Sequence, residues 1–84
     1  MVYGVYVIRD QRTSFLTPTF DYNDASAMRN FEHALQQKES LMFSHPEDYS
    51  LYKIGTYDTD KGVISPQLNK LLVDGNSLFD GNSL

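Results

Sequence analysis

The sequence predicts an α+β fold, a small antiparallel sheet with one amphipathic helix packed across it, in the order ββαββ. Two observations predict this fold. Runs of β-branched and aromatic residues, each as long as a strand, lie before and after one segment whose apolar residues recur with the period of a helix. Turn-forming residues separate these segments. Eighty-four residues provide one hydrophobic core. A chain of this size buries only roughly 60–65% of the surface that its unfolded form exposes, so the stability of a monomer should be marginal. We therefore expect a homodimer or higher homo-oligomer formed through free strand edges.

The first two predicted strands form a hairpin near the N-terminus. Residues 2–8 (VYGVYVI) are apolar on both alternating faces, which indicates a central strand buried on both sides. A polar turn follows, and then residues 15–20 (FLTPTF) form a second apolar run. Pro18 has no backbone N–H, so we expect this strand to be an edge strand or to be interrupted there.

The predicted helix begins at Asn23 or Asp24 and runs from Ala25 to about Gln37. An Asn or Asp side chain caps the first free amides, and an acidic group suits the positive end of the helix dipole. One face carries an apolar stripe of helical spacing, formed by Ala27, Met28, Phe31, Ala34 and Leu35. Packing against the sheet is the expected use of this stripe, and a groove for a partner helix is the alternative.

Residues 45–58 (HPEDYSLYKIGTYD) contain a turn followed by a strand. Pro46 suits the first position of a single helical turn. From Ser50 the pattern changes to that of a strand, and strict alternation places two sets on opposite faces: Leu51, Lys53, Gly55 and Tyr57 on one, and Tyr52, Ile54 and Thr56 on the other. Residues 58–62 form a turn, and Val63 and Ile64 form a short return strand that Pro66 ends.

The chain is expected to divide into one domain, residues 1–66, and a C-terminal tail, residues 67–84. The tail carries the segment DGNSL twice, at residues 74–78 and 80–84. Its polar, glycine-rich composition predicts a flexible tail. The alternative is an acidic arm that anchors on a partner, or on the chain's own sheet, through Leu78, Phe79 and Leu84.

Composition and motifs exclude several classes of function. The net charge is −4, there is no cysteine, and no apolar run reaches the ~18 residues of a membrane span. We therefore expect no thiolate metal site, no signal peptide and no membrane association. No nucleophile motif or phosphate-binding loop appears, so we expect neither enzyme activity nor a cofactor. His45, with the acids that follow it, and Asp58 with Asp60 are better explained as helix-start and turn residues than as metal ligands.

The strand tyrosines are the remaining candidates for a binding site. Tyr3, Tyr6, Tyr52 and Tyr57 lie on predicted strands. Aromatic rings beside cations on an open sheet face bind single-stranded nucleic acid, because bases stack on the rings while phosphates meet the cations. The alternative is that these tyrosines complete the core of a small protein.

Two segments in combination resemble a known family. Residues 23–31 (NDASAMRNF), followed at this distance by residues 45–58, look like the small nonstructural protein of gokushoviruses, which are single-stranded DNA phages of the microvirus family. The proline-containing run at residues 15–20 matches as well, and the resemblance covers about residues 1–65. It implies a protein of the host cytoplasm that binds single-stranded DNA in the switch from genome replication to packaging.

The resemblance brings no catalytic motif, and most of its residues serve the fold. The candidate DNA contacts are Arg9, Arg12, Arg29 and Lys53 for phosphates, with Tyr52 and Tyr57 for bases. The acidic balance of the chain predicts weak, salt-sensitive or partner-dependent binding.

Two other hypotheses stand beside direct DNA binding. In the first, the chain is a protein-interaction module that docks on capsid or replication proteins without contacting nucleic acid. In the second, the acidic tail folds back over a basic surface and competes with DNA.

Overall fold

The computed structural model describes residues 1–77. It contains a four-stranded antiparallel sheet and short helices, so the α+β class is confirmed. The elements in chain order are β1 (Val2–Asp10), β2 (Thr19–Asp21), α1 (Asp24–Leu35), α2 (Leu41–Ser44), a 3₁₀ turn (Pro46–Asp48), β3 (Tyr49–Asp58) and β4 (Val63–Asp74).

The sheet order is β2-β1-β3-β4, so the apolar strand β1 is interior, as its two apolar faces predict. β1 pairs with β2 through Val5 and Phe20, and with β3 from Val2 to Asp10. Opposed residues of an antiparallel pair lie on the same face of the sheet. The pairings therefore define two faces, one toward α1 and one away from it.

The helix α1 covers the first face. Its N-cap is Asn23, whose side-chain oxygen accepts a hydrogen bond from the Ser26 N–H at 2.8 Å. Ala27, Phe31 and Leu35 are buried along the side that meets the sheet. They pack with side chains of β1, β3 and α2, namely Tyr6, Tyr49, Leu51 and Met42. This cluster is the main core of the protein.

The second apolar run forms a much shorter strand than its length predicts. β2 begins only at Thr19, directly after Pro18, as expected for a strand interrupted there. Before it, the chain holds to β1 at a bridge between Arg9 and Phe15, and the Leu16 N–H donates to the Ile8 carbonyl at 2.8 Å. The segment is therefore folded over the end of β1.

The last strand is longer than predicted. β4 continues through Pro66 to Asp74, whereas the proline was expected to end it. β4 is at the edge of the sheet and pairs only with β3, so the missing N–H of Pro66 does not interrupt an interior ladder. Between the Gly55–Pro66 and Lys53–Lys70 pairs the register shifts, and residues 67–69 form a bulge opposite Ile54.

The predicted division at residue 66 also differs from the structure. Residues 67–74 are part of the sheet, so the ordered domain extends at least that far. Residues 78–84 of the predicted tail, which include Leu78, Phe79, Leu84 and the second DGNSL copy, lie outside the described residues.

Candidate nucleic-acid interface

A β-bulge in β3 places Tyr52 and Tyr57 on the same side of the sheet. Val5 pairs with Gly55 and Tyr6 pairs with Lys53, so Ile54 is an extra residue in β3. The extra residue reverses the alternation beyond it. Strict alternation, which puts the two tyrosines on opposite faces, is therefore wrong for this strand.

The sheet face turned away from α1 is rich in aromatic residues, and we call it the open face. On it Tyr57 pairs with Tyr3, and Tyr52 pairs with Val7. Val5 and Val7 form its buried floor and lie outside the main core cluster. The buried residues of α1 and α2 all pack in the main core on the opposite face. On the open face, Phe20 and Tyr52 lie directly opposite the two valines in the strand pairings.

The aromatic rings of the open face occur in edge-to-face or tilted pairs. Tyr52 meets Phe15 at a centroid distance of 5.7 Å, and Tyr57 meets Phe20 at 5.4 Å. A third pair joins Tyr3 to a ring just after β2, that of Tyr22, at 5.3 Å. Such pairs stabilise ring orientation by about 0.5–1.5 kcal/mol each. Two exposed phenylalanines thus belong to the site, signalled in the sequence only by the apolar run around Pro18.

Arg9 brings a positive charge to one end of the open face. Its guanidinium carbon lies 5.3 Å from the ring centroid of Phe15, a cation–π contact. Of the three cationic strand residues, Arg9 alone lies on this face, whereas Lys53 and Lys70 pair with each other on the α1 side. Asp74, which pairs with Ser50, is the acidic strand residue on the open face, since Asp10, Asp21 and Asp58 lie on the α1 side.

Lys53 belongs to a polar cluster on the opposite side. Its Nζ lies 3.4 Å from Asp24 Oδ1, and the buried Tyr6 hydroxyl donates to the same oxygen at 2.7 Å. The Tyr6 hydrogen bond, followed by the attraction of Lys53, lowers the pKa of Asp24. Burial, followed by the bond to Asp24, raises the pKa of Tyr6. This cluster ties the start of α1 to β1 and β3.

The other two predicted phosphate contacts lie away from the open face. Arg12 Nε is 3.5 Å from Asp48 Oδ2, which ties the β1–β2 connection to the 3₁₀ turn. Arg29 is exposed on the outer side of α1, beside Glu32 and His33. The structure therefore brings together Arg9, Tyr52 and Tyr57, and separates them from Arg12, Arg29 and Lys53.

The residues considered as metal ligands have local structural partners. His45 Nδ1 is 2.8 Å from Ser44 Oγ, and Asp58 Oδ1 accepts from the N–H groups of Asp60 and Lys61. No cluster of three or more potential metal ligands occurs in residues 1–77. In the same part of the chain, every helix is too short or too polar to cross a membrane.

A protein-family model described as Phage ORF5 protein matches residues 3–78, nearly the whole chain. The chain belongs to this phage protein family. The matched segment includes all four strands and α1, so the open face lies wholly within the part shared with Phage ORF5 proteins. Neither a curated protein nor a solved structure matches this Phage ORF5 family member.

Proposed function

We propose that this phage protein binds single-stranded DNA on the open face, and that it acts in the switch from genome replication to packaging. The observation that carries the proposal is the gathering of Tyr52, Tyr57, Phe15, Phe20 and Arg9 on one sheet face. The family supplies the phage context. The resemblance described above supplies the gokushovirus assignment, the host cytoplasm and the packaging role.

The rings give DNA bases surfaces on which to stack. Phe20 is 51% exposed and Phe15 is 42% exposed, and the tyrosines beside them are half-buried. Base–aromatic stacking contributes about 1–3 kcal/mol per base and tolerates any sequence, because every base has a π face. Two or three such contacts sum to about 2–9 kcal/mol, a range that includes millimolar and micromolar affinity. The proposed function includes no chemical step, so it requires neither enzyme activity nor a cofactor.

The charge distribution makes this binding depend more on stacking than on phosphate contacts. Arg9 is the cationic strand residue that can meet a phosphate beside the rings. Each phosphate neutralised on a single strand contributes a slope of about −0.7 in log K against log salt. We therefore expect a shallow slope near that of one contact, which is weaker salt dependence than four cationic contacts would give.

The test is a fluorescence titration of a labelled oligothymidine with two pairs of matched variants. Phe20→Leu removes a ring from the open face but keeps an apolar side chain over Val5, and Phe43→Leu makes the same change at an exposed residue of α2. Arg9→Ala and Arg29→Ala form the charge pair. We expect the open-face variants to weaken binding about 5- to 100-fold per ring or charge lost, and the α-helical variants to leave it unchanged. Equal effects within each pair would contradict the proposed site.

A protein-interaction module that docks on capsid or replication proteins is the second candidate. It is favoured by the low density of cations on the open face and by the net charge of −4. Protein docking depends on apolar area, which leucine retains, whereas base stacking depends on the ring. Undetectable DNA binding at ~10 mM salt, where electrostatic attraction is least screened, would reject the first candidate in favour of this one.

A further inference from the structure

The open face exposes more apolar surface than base stacking requires. Beyond the aromatic residues, it includes Ile64, Pro66 and Leu71 on β4, which pair with Tyr57, Gly55 and Tyr52. Ile64 is 56% exposed and Leu71 is 50% exposed. The apolar surface therefore spans all four strands, from Phe20 on β2 to β4.

The size of this surface fits a weak protein–protein interface. Three strands spaced ~4.8 Å apart and about nine residues long, with the much shorter β2 beside them, give roughly 450 Å² in flat projection, before the relief of the side chains is added. That is within the range of the largest patch of ordinary monomers, about 300–600 Å², and approaches the roughly 600–1,000 Å² per partner of standard interfaces. A partner that covers it must present a matching flat, apolar and twisted surface.

The charge distribution favours a second copy as that partner. The charged strand residues on the α1 side are three acids and two lysines, a sum of −1, whereas those on the open face sum to zero. The charged strand residues on the open face, Arg9 and Asp74, have opposite signs. Two open faces can therefore approach each other without strong repulsion, and two twisted sheets pack face to face at ~10 Å with interdigitated side chains.

We infer that a second copy of this chain covers the open face when DNA is absent, and that DNA and the second copy compete for it. The competition rests on the DNA-binding function proposed above, but the self-association does not. Because bases and the second copy use the same rings, a chain that stacks on DNA cannot keep its partner. DNA binding then converts dimers into single DNA-bound chains.

The first measurement is sedimentation velocity of the full chain without DNA, from about 5 to 500 μM, a range that brackets a weak dimer. We expect the mass to rise from 9.6 kDa toward twice that value. Ile64→Lys puts a charge in the interface, and Val63→Lys puts the same charge on the other face of the same strand, where Val63 is 49% exposed. We expect at least a tenfold weaker dimer for Ile64→Lys and no change for Val63→Lys.

The second measurement adds an oligothymidine of about six nucleotides, long enough for one site but too short to hold two copies. We expect the dimer to separate into complexes of one chain with one oligonucleotide. Ile64→Lys is expected to bind the oligonucleotide at least as well as the unchanged chain, because the added charge favours DNA while opposing the dimer. That result would also show that the variant is folded.

The outcomes separate the two proposals. A mass of one copy at every concentration would overturn the self-association and leave the DNA-binding function standing. A dimer that binds no oligonucleotide would reject the proposed function and the competition, while supporting the self-association. A dimer that binds the oligonucleotide and remains a dimer would overturn the competition alone.

Discussion

Replacing Tyr6 by phenylalanine tests the polar cluster that ties α1 to the sheet. The Tyr6 ring is fully buried, and the change removes only the hydroxyl that donates to Asp24 at 2.7 Å. Hydrogen bonds to charged groups contribute about 1.5–3 kcal/mol, but the Asp24 side chain is 39% exposed, so water replaces part of the lost bond. We therefore expect Tyr6→Phe to lower the free energy of unfolding by about 1 kcal/mol at pH 7.

Urea denaturation followed by circular dichroism measures this loss. With a denaturant slope of about 1–2 kcal/mol/M, the midpoint falls by roughly 0.5–1 M. In thermal unfolding the same loss lowers Tm by about 4–8 °C for a domain of this size. Tyr22→Phe is the matched control: Tyr22 is 64% exposed, so we expect its midpoint to be unchanged.

The pH dependence of the loss identifies its cause. The Tyr6 hydroxyl holds the pKa of Asp24 below its ordinary value of 3.8. A lowered carboxyl pKa gives stability that is present above the ordinary value and is lost as the pH falls through the lowered one. The difference between the two proteins should therefore be full at pH 7 and shrink below about pH 4. The assignment of this stability to the hydrogen bond would be refuted if the two proteins differed in stability by the same amount at pH 7 and below about pH 4. It would also be refuted if they did not differ at pH 7.

Three further predictions concern the fold. Gly55→Ala should cost about 1–3 kcal/mol in the same urea assay, because its Cβ would lie 2.6 Å from the Ser65 carbonyl oxygen of β4; a neutral result would mean that β4 can move away freely. Asn23→Ala should cost about 1 kcal/mol through the lost cap of α1, whereas Asn23→Asp should not, and equal losses would contradict the capping role. Burial raises the pKa of Tyr6 above its ordinary value of 10.0, so the folded state keeps a proton that the unfolded state releases. Stability should therefore fall as the pH rises above 10.0, less steeply in Tyr6→Phe; parallel curves would contradict this.

Local sequence signals predicted those elements whose cause is itself local. The Asn23 cap and the spacing of Ala27, Phe31 and Leu35 gave the position of α1 to within two residues. Two apolar faces predicted that β1 is interior, and Pro18 correctly marked the point before which β2 cannot pair regularly. Each of these features depends on a few neighbouring residues and on backbone chemistry.

The length of β4 was not predictable in the same way. A proline would end a strand that is paired on both sides, but it is tolerated in an edge strand such as β4. Which strand lies at the edge depends on the whole sheet. Similarly, nothing about Ile54 marks it as an extra residue, since an apolar residue fits a regular strand equally well. The bulge appears only in the pairing of β3 with its neighbours.

Some residues of the candidate site could be predicted from the sequence, but their arrangement could not, because it depends on strand pairing. Residue type alone identified Arg9, Tyr52 and Tyr57, but the bulge decided that the tyrosines share a face. The positive charge of Lys53, which lies between the two tyrosines in the sequence, predicts a contact with phosphate. The contact of this lysine with Asp24, 29 positions earlier in the chain, depends on the tertiary fold, so no local sequence pattern indicates it.

The bulge of β4 at residues 67–69 limits how this protein can aggregate. A bare edge strand is a template on which further chains add without end, as in fibrils. Here Pro66 offers no N–H, and next to it three residues, which include the 93% exposed Leu68, lie opposite one residue of β3. An added strand could follow β4 for only a few residues before losing register. Continuous pairing of further chains along β4 is therefore disfavoured by the backbone itself.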